Sequence, residues 1–197
     1  MSLRLKHRSD KIRGLVYGLN INSGYTVKRD FVLWEDATYG ALKQDTSTVA
    51  LLHGTFLAVD PYVSYRNSGK FTHDLRARFQ LSDNRFPVRD QNNSDAYSIY
   101  TEYQLNYRLS DFISITAGLT ETYSKVISNF YGDHTGLNIA GFSQFELNPL
   151  PGVKLVAGIR IEQNSLDDVR DKVVPIFRTG INWQAADYTF LRASFGQ

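Results

Sequence analysis

Tyr97-Ser98-Ile99-Tyr100-Thr101-Glu102-Tyr103-Gln104-Leu105-Asn106-Tyr107-Arg108 is the stretch that decides the fold class. Tyr97, Ile99, Thr101, Tyr103, Leu105 and Tyr107 share one parity, and Ser98, Tyr100, Glu102, Gln104, Asn106 and Arg108 share the other. A strand points successive side chains to opposite faces, so this segment has one greasy face and one wet face. The rhythm recurs outward from it. Ile113, Ile115, Ala117 and Leu119 alternate with Ser114, Thr116, Gly118 and Thr120, and Val153, Leu155, Ala157, Ile159 and Ile161 alternate with Lys154, Gly158, Arg160 and Glu162. Segments this long and regular predict an all-β chain whose strands form a wall between two solvents.

The bulk composition is compatible with that wall. The 197 residues are 42% hydrophobic, and mean hydropathy is −0.32. The best apolar stretch, 49–59, is broken by His53 and Gly54, well short of the roughly 20 apolar residues of a membrane helix. A transmembrane barrel would not register on such scales, because half of each strand faces a polar lumen. Tyr and Phe number 12 each. Rings gather where lipid meets water, but β proteins are aromatic-rich in general, so composition leaves both readings open. A net charge of +2 suggests no nucleic-acid partner, and the absence of cysteine excludes a disulfide frame, a thiolate metal site and a cysteine nucleophile. The N-terminus has no apolar signal region, and Met1-Ser2-Leu3 reads as an added leader.

Ten strands are expected, at about 3–7, 13–33, 48–65, 71–81, 96–109, 112–127, 137–147, 153–163, 173–183 and 188–195. The connections alternate. Those near 10, 68, 110, 150 and 186 are brief, and those near 40, 88, 133 and 168 are longer and polar. Arg66-Asn67-Ser68-Gly69-Lys70 has the residues of a tight hairpin. Outer-membrane barrels put short turns on the periplasmic side and long loops outside, whereas sandwiches mix their loop lengths.

Charge placement follows the same logic. Near the short turns the apolar parity carries Ser23, Thr55, Thr101, Ser143, Thr179 and Thr189 as polar exceptions, with charge only at the rim, as Arg13 and His73. The other parity carries Asp60, Asp74, Arg76, Arg78, Glu102, Arg108, Glu146, Lys154, Arg160, Glu162, Arg178 and Arg192. A charge facing mid-bilayer costs roughly 2–4 kcal/mol, and a lumen charge little. Toward the long loops Arg29, Glu121 and Lys125 join the apolar parity, as expected where strands project beyond lipid.

Two pairs of segments carry a family resemblance. Tyr188-Thr189-Phe190-Leu191-Arg192-Ala193-Ser194-Phe195-Gly196-Gln197, with Pro175-Ile176-Phe177-Arg178-Thr179-Gly180-Ile181-Asn182-Trp183 before it, resembles barrel strands of the TonB-dependent outer-membrane receptors. Gly141-Phe142-Ser143-Gln144-Phe145-Glu146 with Leu155-Val156-Ala157-Gly158-Ile159-Arg160-Ile161-Glu162 looks like another hairpin of that family. The resemblance implies a 22-stranded barrel, an internal plug that TonB grips, and active uptake of a chelated metal, vitamin or glycan across a bacterial outer membrane. At about 20 residues per strand and connection, such a barrel needs roughly 430 residues. Residues 1–197 are therefore expected to be a partial β-barrel domain without its plug. Its expected partners are membrane lipid, the plug of the parent chain and, through it, TonB. Its two edge strands invite self-association.

No cofactor, metal or catalytic residue is expected. Asp83, Asp90 and Asp95 with Asn84, Asn92 and Asn93 match no calcium-loop spacing. Asp133-His134 resembles an acid–base pair but sits beside glycines as turn residues do, and the run Asp167, Asp168, Arg170, Asp171 and Lys172 reads as a solvated loop. Inward-facing Arg160, Arg178 and Arg192 are the candidate substrate or plug contacts. Two other readings stay open. One is a closed ten-stranded outer-membrane protease using His134 and rim aspartates. The other is a soluble β-rich binding domain, whose apolar strand faces would need a second layer.

Overall fold

The computed structural model describes residues 1–38, 42–67 and 69–197; Ser68 of the expected tight hairpin lies outside them. The strands are β1 Ser2–Arg8, β2 Leu15–Asp30, β3 Ala50–Asn67, β4 Phe71–Arg85, β5 Ser94–Arg108, β6 Ile113–Ser128, β7 His134–Leu150, β8 Val153–Leu166, β9 Val169–Arg170, β10 Val174–Ala186 and β11 Thr189–Gly196. They form one antiparallel sheet in chain order, with two-residue β9 off the path against β8. The expected all-β up-and-down meander is thus observed, with eleven strands among the described residues instead of ten.

Register explains why the alternation is so clean. The row His7, Tyr17, Val63, Leu75, Tyr103, Leu119, Gly141, Ile161, Pro175 crosses the sheet through direct partners, every one odd-numbered. One residue away runs Lys6, Gly18, Tyr62, Arg76, Glu102, Thr120, Ala140, Glu162, Val174, every one even-numbered. A slip of one residue in any strand would exchange its faces. None occurs on this path, so the greasy sides of separate strands merge into one continuous apolar surface.

Among the described residues nothing covers that surface. Among the described residues the buried apolar side chains are Ala58 and Ala140, and the buried polar ones are Thr120 and Ser128. All four are even-numbered. Crowding on the polar side is what a sheet concave on that side produces. Odd-numbered Leu119 stays 64% exposed and Phe177 47%. A soluble domain of this length would seal such residues against a second layer, so the soluble reading has no core to stand on.

The apolar face ends in rings. Near the short turns Phe71 stacks on Tyr107 with centroids 4.5 Å apart, and the Tyr103 hydroxyl meets His73 Nδ1 at 2.9 Å. Toward the long loops Tyr25 bonds His53, and Tyr97 and Tyr123 stand on β5 and β6. Tyr97 and Tyr107 lie ten residues apart on β5. At about 3.4 Å per residue and a tilt of roughly 40°, they bracket a band of about 25 Å, the height of an outer-membrane barrel's apolar belt.

Turn chemistry sets the strand ends. Gly14 adopts φ +88°, and a Cβ there would lie 2.2 Å from the Arg66 carbonyl oxygen, so only glycine lets β3 close on the first turn. The stretch 164–172, expected as a loop, instead prolongs β8 to Leu166 and returns as β9. Asp167 and Asp168 make that hairpin with φ of 49° and 67°, positions that aspartate tolerates better than most residues. Toward the long loops β4 also outlasts its expected end, reaching Arg85, and β7 begins earlier, at His134.

The sheet does not close. β1 and β11 each pair on one side alone. The closed ten-stranded barrel that the protease reading needs is therefore not formed, because its first and last strands do not meet.

Candidate functional site

The polar face carries its charges as a band of pairs. Arg78 grips Asp60 through two bonds, Nε to Oδ1 at 2.6 Å and Nη2 to Oδ2 at 2.8 Å. Tyr100 donates to Glu102, and Arg76 stands 3.9 Å from the same carboxylate. Lys154 bonds Glu146 at 2.6 Å, and Gln144 donates to that glutamate at 2.9 Å. Between Asp60, Tyr62, Arg76, Arg78 and Tyr100 lies an open recess of about 450 Å³. Cross-strand register makes this band. Arg76 faces Glu102, and the pairs Val59–Phe79 and Tyr62–Arg76 on either side put Asp60 level with Arg78, where opposite charges attract most.

The three candidate arginines share this face but not one site. Arg160 Nε donates to Glu162 at 2.8 Å, and its Nη2 reaches Thr120 at 3.2 Å. That second bond spans β7, whose Ala140, only 1% exposed, is the register partner of both Thr120 and Glu162. Arg192 Nε donates to Asn182 at 3.3 Å. Arg178 faces Gly158 and Gly196 and has no polar partner among the described residues. Measured along β10, Arg160 lies level with Ile176 and Arg192 level with Asn182, about 20 Å apart at the usual strand rise. Arg160 is engaged in the wall, whereas most donors of Arg178 and Arg192 have no partner among the described residues.

The outer connections answer the remaining sequence candidates. Asp83 and Asp95 face each other on β4 and β5, and Arg85 neutralises both at 2.6 and 2.7 Å. Asn93 Oδ1 accepts from the Phe86 amide, and Asn84 donates to Ser94. These groups cap and pair locally, and no cluster of three or more metal-ligating side chains forms among the described residues. His134 pairs with Asp167 across the sheet at 2.6 Å, not with neighbouring Asp133, and its Nε2 lies 3.0 Å from the Tyr131 carbonyl oxygen. The Asp167 hydrogen bond is the main reason the imidazole is held above its usual pKa, with the Tyr131 carbonyl and Asp133 adding to it. The same bond, helped by the Thr135 amide, holds the Asp167 carboxyl below its usual range.

Other ties escape sequence reasoning. Arg89 Nη2 donates to the Ser47 carbonyl at 2.6 Å, and Asn129 Nδ2 to the Asp90 carbonyl at 2.8 Å. Three long connections are thereby linked across separations of about 40 residues. A sequence gives no signal for such side-chain-to-carbonyl contacts.

The family model for the TonB dependent receptor-like β-barrel matches residues 3–197. Among solved structures, the FrpB iron transporter of Neisseria meningitidis is similar in two variants. The F3-3 variant aligns with a TM-score of 0.72 at 11% identity over 92% of this chain and 33% of its own. The F5-1 variant gives 0.73 at 12% identity over 98% and 36%. The Pseudomonas putida toluene transporter TodX aligns with a TM-score of 0.50 at 11% identity over 100% and 66%. At these identities the likeness is one of fold. The chain spans about a third of the length of the FrpB chains, and no curated protein sequence matches it.

Proposed function

Because the chain belongs to the TonB-dependent receptor β-barrel family, we propose that it forms one sector of the barrel of an active nutrient importer in a bacterial outer membrane. The observation that carries this reading is the unbroken register. Across the strand segments nearer the short turns the odd-numbered rows are predominantly apolar and suit hydrocarbon, and the even-numbered rows carry the charges and suit a wet interior; the rule relaxes toward the long loops.

In this reading the even face surrounds a plug supplied by the parent protein. The paired band at Asp60, Arg78, Arg76 and Glu102 stiffens the wall. Arg178 and Arg192, with free guanidinium donors, take carboxylates or backbone carbonyls of the plug or passing substrate, and Arg160 supports the same surface through Glu162 and Thr120. The nutrient is a chelated metal, a vitamin or a glycan. Uptake is binding and gating driven by TonB, so the wall needs no catalytic group.

Uptake in cells tests the proposal. A strain deleted for the gene should lose growth on one scarce nutrient. Growth should return with the intact gene and fail again when TonB is absent. Growth that is indifferent to TonB would remove the transporter assignment.

A further inference from the structure

The polar face changes character toward the long connections. Its middle carries Asp60, Arg76, Arg78, Glu102 and Arg160, but further out Leu52 and Val126 stand on the same parity. A cavity of about 720 Å³ opens there, within the range of small-ligand sites. We propose that it binds a flat organic anion, an aromatic carboxylate. This deepens the transporter reading and rests on it.

Phe86, Phe130 and Tyr131 line the cavity. Phe130 is 64% exposed and Tyr131 77%, with their rings edge-to-face at 4.8 Å. Rings left this bare beside a polar rim mark a binding surface, and their faces suit another ring. Arg89 is the one charged side chain of the lining, which includes no carboxylate. Its bond to the Ser47 carbonyl fixes the guanidinium and leaves other N–H groups to donate. Gln91 and Asn92 add amides without side-chain partners among the described residues.

The aromatic wall is built before any ligand arrives. Ser128 Oγ accepts from the amides of Phe130 and Tyr131 at 3.3 and 3.2 Å, and His134 Nε2 holds the Tyr131 carbonyl at 3.0 Å. Preorganisation of this kind lowers the cost of binding. A cationic ligand would face Arg89 with no acid to receive it. A neutral sugar would use the rings and amides but leave the guanidinium without an anion. An aromatic anion satisfies all three.

The test uses the intact protein purified from outer membranes in detergent, with empty micelles as the blank. Saturation-transfer NMR compares benzoate, benzyl alcohol, benzylammonium and maltohexaose. Benzoate should bind saturably, benzyl alcohol more weakly and benzylammonium not at all. Arg89→Gln should weaken benzoate about tenfold or more while sparing benzyl alcohol. Arg89→Lys should keep the preference for the anion, and Phe130→Ala should weaken both aromatic probes. Benzylammonium binding as well as benzoate, maltohexaose binding alone, or no probe saturating would each overturn the inference. TonB-dependent uptake without benzoate binding would sink this inference alone. Benzoate binding without TonB-dependent uptake would sink the transporter reading alone.

Discussion

Gly118 shows how a missing side chain shapes the polar face. Its cross-strand partner is Phe142, and a Cβ on Gly118 would lie 2.5 Å from Phe142 Cζ. Gly18 stands in the same relation to Tyr62, and Gly24 to Phe56. Each ring lies over a glycine instead of projecting inward, which covers bare backbone and keeps the interior open. Gly118→Ala should therefore destabilise by about 1–3 kcal/mol through overpacking. Urea unfolding in micelles should show the penalty shrink in a Phe142→Ala background, and an equal penalty in both backgrounds would contradict the contact. His134 supports a second expectation. Both of its neighbours, Asp167 and the Tyr131 carbonyl, are acceptors, so only the doubly protonated imidazolium satisfies both. With the histidine pKa raised above 6.5, its contribution is full below 6.5 and fades as pH rises through the raised value. With the Asp167 pKa lowered below 3.8, its contribution is full above 3.8 and fades as pH falls through the lowered value. The clasp should hold between those limits. An NMR titration should place the His134 midpoint above 6.5, falling back in Asp167→Asn, whereas an unshifted midpoint would show that the two loops are not joined there.

The strands were the most legible elements, because a period of two is a local property of the chain. Tyr97 to Arg108 states it outright, and the long loops fall where that rhythm stops. The hairpin at Asp167-Asp168 was hidden, since its charges read as solvation and its shape depends on two residues adopting positive φ. The site was less legible for a related reason. Parity places Arg160, Arg178 and Arg192 on one face, but their separation along β10 depends on register summed over three strands. The links from Arg89 to Ser47 and from His134 to Asp167 depend on loop geometry that no spacing encodes. The two faces also separate the consequences of one substitution. Leu119→Arg places a charge among odd-numbered residues near the middle of the apolar band, and Gln104→Arg places the same charge on the polar side. In phospholipid bilayers the first should cost about 2–4 kcal/mol of unfolding free energy and the second under 1. Similar losses for both would mean that the odd face does not meet lipid.

At the scale of the molecule, the described residues form a sheet of one layer with two free edges, β1 and β11. An unpaired edge presents a row of N–H and C=O groups to any other strand. The two edges are not equally protected. β1 carries Arg4, Lys6 and Arg8, and the cations discourage a second strand from docking, whereas β11 has Arg192 as its one charge. Association of the chain by itself should therefore proceed mainly through β11. Sedimentation of the isolated chain in detergent should show mass rising with protein concentration. Ser194→Lys adds a cation to that edge on the polar parity, away from lipid, and should shift the distribution back toward monomer. A concentration-independent monomer would mean that the edges are satisfied in some other way. Equal association of the Ser194→Lys chain would move the contact to β1. In the larger barrel proposed above the same substitution should leave stability nearly unchanged, because there β11 would have a neighbour on each side and its lysine would point into the lumen.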